Sequence, residues 1–207
     1  MEDRKLTEKE SLEIITSMIA RTKERYIGNA NILLMWGYLV VLTTIAVWIL
    51  LDVTHNNAWN WLWFAIPVVG FTAGSVMKKN HRGRKTVKTY SDRVTSKLWT
   101  IVGVSEIVVA ILCLLMQCFA DVNCWSAMLV YSLLVVPCTE IAQGILLREN
   151  SLFFGGLVGL TVGVITLCLI AGGIVLYANW YLPIFIIAFV AMMIIPGHIL
   201  NHKAKNQ

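Results

Sequence analysis

Charge is what this sequence has least of. Acidic and basic residues make up only 14% of its 207 residues, against 57% hydrophobic; a soluble domain carries about 25% charged residues. A chain this short cannot hide so much apolar surface in its own core. That excludes a soluble globular domain and points to the bilayer. Cysteine is scarce too. Five cysteines, scattered along the chain, are too few for a disulfide framework. Cys113, Cys138 and Cys168 fall in apolar runs and read as small apolar fillers. Cys118 and Cys124 bracket a short link, where free thiols are expected unless that side is oxidising.

The signatures of catalysis are also missing. There is no GxSxG, no HExxH, no glycine-rich phosphate loop and no oriented base beside a serine or thiol. No enzymatic activity is expected. A cleavable signal peptide is not expected either, because the first long apolar run begins only near Ile32.

What is present is a series of long apolar runs. Six spans are predicted, at roughly Ile32–Leu51, Trp59–Met77, Leu98–Phe119, Trp125–Leu147, Leu152–Tyr177 and Tyr181–Leu200. Backbone groups in hydrocarbon need internal partners, so such runs are helices. The fold class is therefore all-α: a polytopic membrane protein of six transmembrane helices arranged as three hairpins. Residues 1–27 precede them as a separate amphipathic helix. Thr7 and Glu10 fit a capping box, and Leu12, Ile15, Met18 and Ile19 recur on one face. That face suits a membrane surface or a partner protein, and packing on the chain's own loops would serve equally.

The few charges are placed one-sidedly. Of 17 lysines and arginines, six precede the first span, eight lie in the loop Lys78–Lys97, one is Arg148, and two are Lys203 and Lys205. The opposite links contain none. By the positive-inside rule both termini are cytoplasmic, in a cell membrane. The net charge of +5 is thus a topology signal and a contact for anionic headgroups, which excludes nucleic acid as a partner.

The costliest residues are two carboxylates inside apolar runs, Glu106 and Glu140. Glu106 lies nine residues after Lys97 and Glu140 eight before Arg148, which places both about 12–13 Å inside the same face. Antiparallel neighbours would hold them level, able to share a proton or a ligand, with Gln143 one turn beyond Glu140. Pro137 predicts a kink one turn before Glu140. The competing reading is two structural carboxyls bonded to neighbouring helices.

Other features are weaker. Gly155, Gly159 and Gly163 form a double GxxxG, which lets another helix approach closely, from this chain or from a second copy. His198 and His202, at i and i+4, with His81 as a third, have metal-ligand spacing. The same spacing suits two interfacial histidines near a helix C-terminus, and no cofactor is assigned. An Asn and a Trp precede each even-numbered span, and each of these spans carries a proline, Pro67, Pro137 or Pro196. Three diverged hairpins would give this pattern, and interfacial tryptophans alone would give part of it.

The helix Glu8–Ile19, Trp36-Gly37-Tyr38, the stretch Asn57–Phe64 and Tyr90-Ser91-Asp92-Arg93 together resemble small six-helix membrane proteins of bacteria. That resemblance covers most of the chain and implies the same layout without an activity. Two functions fit. One is the binding or transport of a small solute or protons in a cavity between spans 3 and 4. The alternative is a non-catalytic regulatory or scaffold subunit that engages a protein partner or a homo-oligomer through its amphipathic helix and basic loop.

Overall fold

A computed structural model describes residues 8–80 and 90–206. They form helices in the order α1 (Glu8–Thr54), a 3-10 helix (Asn57–Phe64), α2 (Ala65–Asn80), α3 (Tyr90–Ala120), α4 (Trp125–Leu147) and α5 (Asn150–Ala171). The last run is α6 (Ala178–Phe189), a π-helical turn (Val190–Ile194) and α7 (Ile195–Asn206). Among the described residues there is no strand. Thr7, His81 and part of the basic loop lie outside them.

Five helical stretches are long and apolar enough to cross a membrane: Ala30–Thr54, Ser91–Ala120, Trp125–Leu147, Asn150–Ala171 and Ala178–Asn206. Their outward faces are apolar. On α3 these include Ile101, Val104, Val108, Leu112 and Leu115, and on α5 Phe154, Leu157 and Ile165, all exposed. A belt of this size is stable only against lipid or another apolar surface.

Two expected elements differ. The amphipathic stretch and the first span are one continuous helix, α1. Nothing in the sequence breaks it, for no proline occurs before Pro67, and an isolated Gly28 costs only about 1 kcal/mol in a helix. The second span begins as a 3-10 helix, in which side chains three apart eclipse. That repeat stacks Asn57, Asn60 and Trp63. The Asn60 amide donates to the Asn57 carbonyl (3.1 Å), and the buried Trp63 indole donates to Asn60 Oδ1 (3.2 Å). The α-helix proper then has only 16 residues.

The helices pack antiparallel. Gly197 meets Leu34, Gly37 meets Met193 and Ile194, and the Tyr38 hydroxyl bonds His198 Nε2 at 2.8 Å. The N-terminal half of the first span and the C-terminal helix therefore share one end of the bundle. At the same end Lys203 Nζ reaches the buried Glu149 carboxylate at 2.7 Å. At the other end Trp63 stacks edge-on against Phe185, and Phe64 against Trp125. The most extensive pairing joins α4 to α5 across the tight turn at Arg148, so the closest contact lies between two of the expected hairpins.

That pairing has a specific cause. A proline inside a helix cannot donate to the carbonyl four residues earlier. Pro137 frees the Leu133 carbonyl, and Pro196 follows a π-helical turn in which the Ile195 N–H bonds the Val190 carbonyl. Both segments face glycines of α5. A Cβ on Gly163 would stand 2.3 Å from Leu133 O, and one on Gly155 would stand 3.1 Å from Met192 O. Gly159 sits where the Pro137 ring and Met192 meet, and Gly156 lies against Ile141 and the Pro137 carbonyl. The glycine stripe thus seats α5 against both proline-bearing helices, where close Cα–H···O contacts partly replace the lost donor.

Gly163→Ala is therefore expected to cost about 1–3 kcal/mol of overpacking strain, because the new methyl meets backbone. Gly74→Ala meets nothing within 4 Å and should leave stability unchanged or slightly higher. Thermal unfolding in detergent micelles measures both.

Candidate functional site: the carboxylates of the α3–α4 hairpin

Helices α3 and α4 are antiparallel neighbours, and side-chain bonds fix their register. The Trp99 indole donates to Gln143 Oε1 at 2.7 Å, and the Trp125 indole donates to Gln117 Oε1. Midway between them Ser132 Oγ lies 2.9 Å from Glu106 Oε2 and 3.0 Å from its own helix's Met128 carbonyl. Each helix therefore carries Trp, then a polar residue seven positions on, then Gln eighteen positions on: Trp99, Glu106, Gln117 and Trp125, Ser132, Gln143. An exchange of the two helices turns one Trp–Gln bond into the other and leaves the Glu106–Ser132 pair in place. The hairpin has a local pseudo-twofold axis through that pair.

This register separates the two glutamates. In the register set by the two Trp–Gln bonds Glu106 lies level with Val136, four residues or about 6 Å along α4 from Glu140, and its carboxyl reaches Ser132 instead. The two carboxylates are not level, and no hydrogen bond joins them. The expected sharing of a proton or ligand therefore has no direct bond between the two carboxyls behind it. Depth measured from Lys97 and Arg148 misled because α3 begins at Tyr90, so Lys97 is already two turns inside the helix. At the other end Asp121 adopts a left-handed backbone (φ 53°), and the Val122 N–H returns to the Met116 carbonyl at 3.2 Å. The link folds back along α3, and α4 starts below the end of its partner.

The two carboxylates also have different surroundings. Glu106 is partly exposed; one oxygen bonds Ser132 and the other is buried without a partner. Glu140 is 0% exposed, and neither oxygen has a hydrogen-bond partner. Around it on α4, Val136, Pro137, Thr139, Gln143 and Gly144 are all buried. Gln143, the expected partner of a carboxyl, instead receives the Trp99 indole. An open apolar groove on this hairpin is lined by Thr100, Ile101, Val104, Ser105, Val108, Val109 and Tyr131. It contains neither glutamate nor Gln143.

The remaining candidates fall elsewhere. Gly155, Gly159 and Gly163 serve the α5 interfaces within this chain. The Nε2 atoms of His198 and His202 are engaged by Tyr38 and by Asn206 at 3.0 Å. Among the described residues no group of three His, Cys, Asp or Glu side chains could hold a metal ion.

Comparison with family models, with curated proteins and with solved structures finds no match to this chain. The local geometry alone must carry the reading. Sequence reasoning did not pair Trp99 and Trp125 with glutamines of the facing run. The signal was the identical eighteen-residue Trp-to-Gln spacing in the two runs.

If the two clasps set the register, the double-mutant cycle of Trp125→Phe with Gln117→Leu should show a coupling of about 0.6 kcal/mol, the average for such bonds in membranes. The crossed pair Trp99→Phe with Gln117→Leu should show none. Unfolding in mixed micelles provides the measurement.

Proposed function

We propose that the protein crosses the cytoplasmic membrane six times and binds a proton or small cationic solute at Glu140. The observation that carries this reading is a fully enclosed carboxylate with no donor on either oxygen. Such a group in an apolar bundle costs several kcal/mol unless its occupant supplies the missing donor or charge. An anion would add like charge, so the occupant is electropositive. Glu106, already bonded to Ser132 and partly exposed, plays a secondary part.

The sixth crossing is assigned to Asn57–Asn80. Its eight 3-10 and sixteen α-helical residues rise about 40 Å in all, enough to traverse the hydrocarbon. It leaves the far end, where Phe64 meets Trp125, and Gly70 packs on the Trp36 ring partway along α1. Six crossings return both termini, with Arg148, Lys203 and Lys205, to one side. By the positive-inside rule that side is cytoplasmic.

A second reading keeps one specific support. Residues Glu8–Asn29 extend α1 by about 33 Å beyond the start of its apolar span, and Leu12 on this extension is 66% exposed. An extension of this kind suits a regulatory or scaffold subunit that presents the helix to a protein partner.

Proteoliposomes with an entrapped pH dye separate the readings. Under an imposed proton gradient, Glu140→Gln should lower the flux to the protein-free level, and Glu106→Gln should retain most of it. Equal flux in wild type and Glu140→Gln would overturn the proton reading, and a phenotype confined to deletion of residues 8–29 would favour the scaffold. Topology has its own check. In a cysteine-free background, a cysteine introduced by Asn56→Cys should label from outside, and one introduced by Ser91→Cys should not.

A further inference from the structure

The outer end of the α3–α4 hairpin carries a feature that neither reading uses. Cys113 is 3% exposed, and its Sγ lies 3.3 Å from the Cys124 carbonyl. Cys124 is the residue before the first turn of α4 and is half-buried. A carbonyl oxygen sits about 2.4 Å from its own Cα, so the Cys113 sulfur lies within about 6 Å of the Cys124 Cα. Cys118, which the sequence suggests as the partner of Cys124, is exposed and one turn beyond Cys113.

We propose that Cys113 and Cys124 are a redox pair, oxidised to a disulfide that ties α3 to the start of α4. Three observations favour it. The pair lies on two elements already held in register by the Trp125–Gln117 bond next to it, so little ordering remains to be done. The two residues differ in access: Cys124 is open enough to meet an oxidant, while Cys113 is enclosed beside it. Finally, the polar contact that Cys113 makes with the Cys124 carbonyl is a weak one, an S–H donor on a carbonyl oxygen.

The step balances with a small disulfide as oxidant. The Cys124 thiolate attacks one sulfur of that disulfide, and the first small thiolate leaves. Cys113 gives up its proton to solvent at the hairpin end and attacks the Cys124 sulfur of the mixed disulfide. The second small thiolate departs and both are protonated. Two protein thiols are oxidised, and one small disulfide becomes two thiols. A disulfide needs Cα atoms about 4.4–6.8 Å apart, which a small shift of the link Asp121–Cys124 supplies, with side-chain rotation bringing the sulfurs together.

The full chain in detergent micelles, treated with oxidised glutathione, then unfolded and alkylated, tests the pairing by mass spectrometry. Expected are three alkylated thiols of five and a peptide joining Cys113 to Cys124. Cys118→Ser should keep the bridge, and Cys113→Ser should leave Cys124 trapped as its glutathione adduct. A Cys118–Cys124 bridge in the wild type, or five alkylated thiols after oxidation, would overturn the proposal.

Discussion

A carbonyl left without its helical donor, met by a glycine stripe, governs the packing of this bundle. In water a proline in a helix costs one hydrogen bond, which solvent replaces; in hydrocarbon nothing replaces it unless another helix comes close. Leu133 is left in that state by Pro137, and α5 presents Gly163 to it and Gly155 to Met192 and Pro196. Side chains at those positions would hold the helices apart. The glycine stripe therefore does more than permit contact. It ties α4 and the π-helical segment of the last span to a common partner, and α1 then packs on that last span through Gly37 and Gly197. Helix α3 stands outside this arrangement and is attached chiefly through α4.

Much of this was legible in the sequence, because the strongest signals are matters of composition. Apolar runs between charged ends define spans whatever their neighbours are, and short links make neighbours antiparallel. Gly155, Gly159 and Gly163 stood out by spacing alone. The parts that were not legible depend on where backbone bonds go. The 3-10 helix at Asn57–Phe64 is selected by the Asn57–Asn60–Trp63 ladder, which no hydropathy window detects. The continuity of α1 follows from the lack of any break between an amphipathic stretch and an apolar one, a change of composition without a change of structure. Register failed for a different reason. It was counted from the nearest basic residues, whereas indole-to-amide bonds set it.

The correction of register alters what the site can do. Two carboxylates at one depth would have formed a single coupled centre. The hairpin holds two separate ones instead. Glu106 lies on the pseudo-twofold axis with a hydroxyl partner, while Glu140 lies off it with none. Leu114 occupies the position on α3 that corresponds to Glu140 on α4.

That separation is the central claim, and crosslinking tests it most directly. In a cysteine-free background, Glu106→Cys combined with Ser132→Cys should crosslink rapidly under a mild oxidant. Glu106→Cys combined with Glu140→Cys should not, since the Glu106 side chain reaches Ser132 and neither Glu140 oxygen has a partner. Rapid bridging of positions 106 and 140, with none between 106 and 132, would contradict the register and restore a single two-carboxylate centre.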